Sequence, residues 1–186
     1  MLKKFDTKEL VFIALIGALV FAQAFILGVV LIAATGTSMT GGLITAFTTA
    51  FILVLAALTI QKFGTITIIV LIHTVLSSPT INLGPPGVYK IGLGIILGLV
   101  VDSVLYFGKY KRFAYYISFA FGYAALVPAM FYFLTLLGMP AADKLAPFIL
   151  PMMGIYVVES LLATWLARVI YFKKLKNKRI IKQIED

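Results

Sequence analysis

The sequence predicts an all-α integral membrane protein in which six transmembrane helices form one compact bundle, and three observations support this prediction. First, 62% of the 186 residues are hydrophobic, and the mean hydropathy is +1.08. Second, several apolar runs reach the ~20 residues that a helix needs to cross a bilayer. Third, these runs follow one another with short gaps, which favours a single domain over residues 1–186.

Six apolar segments are predicted to span the membrane. They are separated by charged, glycine-rich or proline-rich residues, which are typical of helix ends and connections. The first segment is too long for the apolar part of a cleaved signal peptide, so we expect it to be retained. In chain order, the predicted spans are residues 10–34, 42–61, 64–79, 86–107, 113–137 and 148–172, followed by a basic tail over residues 173–186.

The charges predict the orientation of these spans. Of the sixteen lysines and arginines, only Lys90 and Lys144 fall on the side of the first, third and fifth connections, and the others lie at or near the opposite side. Lysine and arginine mark the cytoplasmic side, so both termini are expected inside, in a multi-pass protein of the plasma membrane. The tail could also bind anionic membrane lipid, although the orientation bias alone explains it.

Several function classes are disfavoured by composition. The chain has no cysteine and a single histidine, so neither a disulfide nor a metal site is expected. No catalytic motif and no phosphate-binding glycine loop occurs, so we expect no enzymatic activity of its own and no cofactor. The net charge of +9 is explained by membrane orientation, and no nucleic-acid partner is expected.

Small residues form two stripes at helical spacing. Ala14, Ala18 and Ala22 recur every fourth residue of the first segment and share one face. This face either packs inside the bundle or docks a separate membrane subunit. The fourth segment carries a second stripe, which indicates a close helix neighbour or a pocket wall and consists of Lys90, Gly94, Gly98 and Asp102.

Ionisable residues inside the membrane are candidates for function because they need a partner or a polar cavity. His73 and Glu159 are both predicted to bind substrate near mid-depth, where a contact between them is possible. Tyr156 lies one turn before Glu159, and the two are predicted to line a pocket for a small heterocycle. The alternative for His73 is a neutral imidazole bonded to the backbone, and for Asp102 a partner among the nearby cytoplasmic basic residues.

The helical part of the third span is expected to stop short of the outer surface of the bilayer. Thr65 to Ser78 gives about 21 Å of helix against ~30 Å of hydrocarbon. Prolines at 79, 85 and 86 oppose a longer helix, so non-helical backbone is expected within the outer leaflet, where it must be covered by protein or line a cavity. The residues predicted to bind substrate there are Ser78, Thr80, Asn82, Tyr89 and Lys90, with Lys90 suited to a ligand carboxylate or phosphate.

The size, the six segments, the inside termini and the Ala14/Ala18/Ala22 stripe resemble the substrate-binding S component of energy-coupling factor (ECF) importers of vitamins and micronutrients. The resemblance implies that the alanine stripe docks on a coupling membrane subunit, which is itself bound to two cytoplasmic ATPases. It also implies a lid over residues 36–42 and toppling of the S component to release its ligand. Two alternatives are a structural membrane protein of the cell-shape (MreD-like) kind and a small transporter driven by protons through His73, Asp102 or Glu159.

Overall fold

The computed structural model describes residues 4–35, 38–81, 84–139, 146–176 and 178. These residues are predominantly α-helical, and no β-strand occurs among them. A 3-10 turn at Ala146–Phe148 precedes the last helix and a π-helical turn at Tyr171–Leu175 follows it. The six helices are α1 (Thr7–Thr35), α2 (Ser38–Thr59), α3 (Thr65–Ser77), α4 (Tyr89–Phe107), α5 (Arg112–Leu136) and α6 (Ile149–Ile170).

The all-helical membrane class predicted from the sequence is confirmed. Within the described ranges, four stretches are long and apolar enough to cross a membrane, namely Thr7–Leu31, Tyr89–Phe107, Arg112–Leu136 and Ala146–Leu175. Shorter apolar helical stretches lie at Ile44–Thr59 and Thr65–Ser77. The number of spans and the side of each terminus stay predictions.

The helices form a ring in the order α1, α2, α6, α5, α4, α3, in which each helix packs mainly on its two ring neighbours and α3 returns to α1. Short connections turn the chain back after each helix, so helices consecutive in sequence run antiparallel. One end of the ring therefore gathers the start of α1 with the α2–α3 and α4–α5 connections and the end of α6. We call it the closed end and the opposite one the open end.

The main hydrophobic core lies toward the closed end. It is built from the later part of α2, the first half of α3, the second half of α4 and the first half of α5, with Ile13 and Val20 from α1. In α6, the described buried residues are Ser160, Ala163, Thr164 and Ala167, all in its second half. The first half of α6, toward the open end, contributes no fully buried described residue, and its Tyr156 packs against the core from a partly buried position. A smaller cluster of Tyr89, Leu93 and Leu134 joins α4 to α5 there.

Hydrogen bonds fix the start of α1 at the closed end. The Glu9 amide donates to the Asp6 carboxylate over 2.7 Å, and the Asp6 amide donates to the Glu9 carboxylate over 2.8 Å. This reciprocal capping box explains why α1 begins at Thr7, before the predicted start. The Lys62 ammonium, from the α2–α3 connection, then donates to the same Glu9 carboxylate over 2.6 Å.

The α4–α5 connection is a tight turn in which two consecutive non-glycine residues, Lys109 and Tyr110, have left-handed φ angles of 51° and 52°. The Tyr110 hydroxyl is buried and has no hydrogen-bond partner among the described residues. Burial raises the pKa of Tyr110 to about 12, so this phenol is neutral at physiological pH.

Two boundaries at the open end differ from the predicted ones. α2 begins at Ser38, so most of the predicted lid over residues 36–42 is helical, and Gly36 and Thr37 lie outside the described residues. α4 begins at Tyr89, three residues later than predicted. α3 ends at Ser77 after 13 residues, or about 20 Å, which agrees with the short helix predicted, and its position relative to the bilayer stays a prediction.

Candidate ligand-binding site

Lys90 contacts the C-terminal end of α3, which lies at the open end of the ring. Its side chain is fully buried, and its ammonium donates to the carbonyl oxygens of Ser77 over 3.1 Å and of Thr80 over 2.6 Å. These carbonyls belong to the last turn of α3 and to the chain just beyond it. A cation at a helix C-terminus satisfies free carbonyls and complements the helix dipole. The contacts of Lys90 are therefore those of a capping residue, and its predicted contact with a ligand anion stays a prediction.

The chain after α3 folds back on itself through local hydrogen bonds. The Gly87 amide donates to the Ser78 carbonyl over 2.9 Å, and the Tyr89 hydroxyl donates to the Pro85 carbonyl over 2.9 Å. The hydroxyl of Ser78 donates to the Thr74 carbonyl over 3.0 Å. The hydroxyl of Thr80 donates to the Ser77 carbonyl over 2.9 Å. The predicted substrate residues Ser78, Thr80 and Tyr89 are thus used in ordering this segment, while Asn82 lies outside the described residues.

Asp102 performs the corresponding task at the other end of α3. It is 1% exposed and accepts hydrogen bonds from the backbone amides of Ile66 over 3.2 Å and of Thr67 over 2.8 Å. The Thr67 hydroxyl adds a third bond of 2.7 Å. Gly64 precedes α3 and offers no side-chain cap, so the carboxylate from α4 satisfies the first amides of this helix. The expected partnership of Asp102 with nearby basic residues is replaced by this capping role.

The two glycines between these charges let α3 and α4 meet closely. A Cβ atom at Gly94 would lie 2.5 Å from the Thr74 hydroxyl oxygen, and one at Gly98 would lie 2.4 Å from the Cα atom of Thr67. The second stripe is therefore the contact surface for α3, which confirms the close-neighbour interpretation. One face of α4 thus packs along α3 and places opposite charges at its two ends.

His73 lies within the buried face of α3. It is 3% exposed, and its Nδ1 atom has no hydrogen-bond partner among the described residues. The positive charge of Lys90 disfavours a second positive charge on the imidazole of His73. No hydrogen bond joins His73 to Glu159 in the described part of the chain, and α3 is not a ring neighbour of α6. Both residues stay candidates for function, as separate groups.

Glu159 and Tyr156 lie where α6 meets α2 and α5. The ring of Tyr156 meets that of Tyr123 edge to face, with centroids 6.4 Å apart and an interplanar angle of 72°. Tyr156 lies three residues before Glu159 on α6, so the two side chains occupy neighbouring parts of the helix surface. The Tyr123 hydroxyl donates to the Ala46 carbonyl of α2 over 3.3 Å. The Oε2 atom of Glu159 is buried and has no hydrogen-bond partner among the described residues.

The site residues predicted from the sequence therefore fall into two groups. Those on α3, α4 and the chain between them form one hydrogen-bonded unit, whereas Tyr156 and Glu159 belong to the α2–α5–α6 side of the ring. A third polar group was not predicted. Gln23 of α1 donates to the Thr49 hydroxyl over 2.8 Å and accepts from the Thr48 hydroxyl over 2.7 Å. A glutamine in the middle of an apolar helix was the available signal.

The alanine stripe of α1 faces away from the bundle. Ala14 and Ala18 are exposed and Ala22 is half-buried. The buried face of α1 is formed by other residues, among them Ile13, Gly17, Val20 and Ala24. Ala14 and Ala18 are accordingly not used for packing within this chain, and their docking role stays a prediction.

These features define an all-helical protein of the membrane class with several buried polar side chains. Comparison with a solved structure specifies its fold further. The chain is similar to a structure described as the crystal structure of an S-component of an ECF transporter, with a TM-score of 0.64 and 20% sequence identity. The similarity covers 98% of this chain and 94% of that chain. No family model matches the sequence, and no curated protein matches it. The chain therefore has the fold of an ECF S component, and the predicted resemblance is confirmed at the level of fold.

Proposed function

We propose that this protein is the substrate-binding S subunit of an ECF-type importer. In this role it captures a small, vitamin-like micronutrient outside the cell and delivers it through a coupling membrane subunit and two cytoplasmic ATPases. The observation that carries the proposal is the similarity of fold over nearly the whole chain. The chain itself would be a binding subunit without enzymatic activity, since ATP hydrolysis belongs to the partner ATPases.

The proposed orientation places the closed end at the cytoplasm and the open end outside, with all six helices crossing the plasma membrane. The closed end carries Lys62, Lys109, Lys111 and Arg112 together with the described basic residues after α6, in agreement with the excess of positive charge on cytoplasmic connections; those residues are Lys173, Lys174 and Lys176. The ligand would then enter at the open end, where the first half of α6 has no fully buried described residue. The unit of α3 and α4 would form one wall of this entrance.

The proposed docking surface for the coupling subunit is the exposed stripe of Ala14 and Ala18. Small residues on a lipid-facing helix let a partner helix approach closely, and larger side chains would prevent this approach. We expect the double substitution Ala14→Leu with Ala18→Leu to abolish co-purification with an ECF coupling subunit and its ATPases. Ligand binding and thermal stability should stay unchanged, because both side chains are exposed.

The matched control is the double substitution Ala33→Leu with Ala34→Leu, at exposed alanines near the other end of the same helix. It adds the same side chains and should preserve co-purification. Loss of thermal stability in the Ala14/Ala18 variant would mean that the stripe packs internally. Retention of the coupling subunit by that variant would refute the proposed docking surface.

Binding of a small molecule separates this proposal from its alternatives. Mass spectrometry of the compounds that co-purify with the protein should identify a ligand. Binding to cell-wall elongation proteins without any small ligand would favour the structural alternative. Proton-driven uptake by vesicles that contain only this chain would favour the self-sufficient transporter, for which the unpartnered Oε2 atom of Glu159 is the supporting observation.

A further inference from the structure

The charge of the ligand can be inferred from the polar groups that the chain leaves without a partner. A carboxylate in a membrane protein is costly to bury unless a cation or hydrogen-bond donor faces it. The Oε2 atom of Glu159 is buried and no described residue donates to it. The described ion pair, Lys62 with Glu9, lies at the closed end. A donor or cation for the Oε2 atom of Glu159 is therefore expected to come from outside the described residues.

The basic residue nearest to Glu159 in the sequence of α6 has a different partner. Arg168 lies nine residues further along, about 13 Å on the helix axis. Its guanidinium carbon lies over the rings of Tyr115, 5.6 Å from the centroid, and Phe172, 5.2 Å from the centroid. Lys90 is directed to carbonyl oxygens at the end of α3. Both cations are thus engaged elsewhere.

A metal ion does not fit this environment. Calcium and magnesium require several oxygen ligands, and zinc requires three or four nitrogen, sulfur or carboxylate ligands. Among the described residues, no group of three histidine, cysteine, aspartate or glutamate side chains could hold a metal ion. The surroundings of Glu159 are instead aromatic and apolar, which suits an organic cation.

The ring of Tyr156, three residues before Glu159 on α6, lies on the neighbouring part of the same helix surface. Tyr123 and Tyr156 contact each other edge to face, and the hydrogen bond from the Tyr123 hydroxyl to Ala46 fixes the first ring. The faces of such rings attract cations. Glu159 also borders a shallow, open apolar depression on the surface of α6, formed by the exposed residues Pro151, Gly154, Ile155 and Val158. A small ring with a positive charge could therefore place its nitrogen at Glu159 and its apolar part against these surfaces.

We infer that Glu159, with the ring of Tyr156, binds a positively charged, nitrogen-bearing small molecule such as an organic ammonium or a protonated heterocycle. This inference rests on the proposed role as a substrate-binding subunit and adds the charge class of its ligand. It gives Glu159 the role of counter-ion and Tyr156 the role of aromatic wall, with the buried ring of Tyr123 holding Tyr156 in place from behind. It assigns no ligand contact to Lys90.

The test compares three probes with the same ring and different charges: benzylammonium, benzyl alcohol and phenylacetate. The full chain is purified in detergent, and binding is measured by thermal shift and calorimetry. Benzylammonium should bind more tightly than the neutral and the anionic probe. Glu159→Gln should weaken benzylammonium by at least about tenfold, since a desolvated charge loses its partner, and should leave benzyl alcohol unaffected.

Further variants keep the test decisive if Glu159→Gln folds poorly. Tyr156→Phe keeps the ring and should bind benzylammonium almost as well, whereas Tyr156→Leu removes it and should bind several-fold more weakly. Glu9→Gln at the closed end is the matched control and should leave the affinity unchanged. Tighter binding of phenylacetate, or no binding of benzylammonium, would overturn the inference.

The co-purifying ligand separates the inference from the proposed function. A cationic ligand supports both. An anionic or neutral ligand overturns the charge class and leaves the substrate-binding role intact. The absence of any bound small molecule, together with failure to co-purify with a coupling subunit, would overturn the proposed function itself.

Discussion

Replacing Lys90 by methionine should loosen the chain between α3 and α4 without unfolding the bundle. Methionine has a similar length and no charge, so it keeps the packing and removes the donors. The Ser77 carbonyl would still accept the Thr80 amide over 3.0 Å and the Thr80 hydroxyl over 2.9 Å. The Thr80 carbonyl would lose its 2.6 Å contact with the ammonium. The main loss is thus one charge-assisted hydrogen bond.

The magnitude of this loss can be calculated from the one charge-assisted hydrogen bond that is removed. A hydrogen bond to a charged group contributes about 1.5–3 kcal/mol, and each ~1.4 kcal/mol changes a local opening equilibrium tenfold. Hydrogen exchange at the amides of Thr80 and Gly87, which are both bonded within this segment, should therefore accelerate by about 10- to 100-fold. The global unfolding midpoint should change less, because removal of a buried charge offsets part of the loss.

Hydrogen–deuterium exchange with mass spectrometry on the purified protein measures this effect, and Lys90→Arg is the control. Arginine keeps the charge and the donors, so it should retain much of the protection that methionine loses. Unchanged exchange in Lys90→Met, combined with loss of binding to an anionic ligand, would refute the capping role and support the ligand contact predicted from the sequence.

Three further substitutions, one of them with a control variant, test the packing of α3 against α4 and the turn that follows. Asp102→Asn should destabilise the protein by about 1–3 kcal/mol in chemical unfolding, because an amide cannot accept all the bonds from the start of α3. Gly98→Ala should cost about 1–3 kcal/mol or more, since its Cβ would lie 2.4 Å from the Thr67 Cα atom, whereas Gly28→Ala, with nothing within 4 Å, should be neutral or stabilising. Lys109→Gly should raise the thermal midpoint, because it relieves a left-handed backbone that costs about 1–2 kcal/mol. An unchanged midpoint in that variant would show that the turn is not strained.

The sequence predicted the helices well because each is a long apolar run, and the bilayer thickness sets its length. It also predicted the early end of α3, since the prolines after Ser78 leave little room for another turn. The start of α4 was predicted too early because Pro86 is a plausible first helical residue. The backbone instead closes a hydrogen bond from the Gly87 amide to Ser78, which delays the helix to Tyr89.

The partners of the buried charges were not predictable in the same way. Spacing placed Lys90 and Asp102 on one face of α4, but it did not reveal which helix this face meets. The ring order brings the short α3 alongside α4. The distance between Lys90 and Asp102 along α4 is similar to the length of α3, so each charge lies at one end of α3. A charge at the edge of a glycine stripe can therefore serve a neighbouring helix end as readily as a ligand.

A substitution at His73 tests whether a buried polar atom without a partner serves a function other than packing. A buried polar atom without a hydrogen bond destabilises the fold, and replacing it with an apolar group of similar shape removes that penalty. The Nδ1 atom of His73 has no partner among the described residues, so His73→Leu should stabilise the protein by about 1 kcal/mol in chemical unfolding. Such a gain would mean that packing does not explain the imidazole, and that its use lies in binding or transport. A loss of stability would instead show that His73 has a structural partner, and the imidazole would then belong with Lys90 and Asp102 among the groups that hold α3 in place.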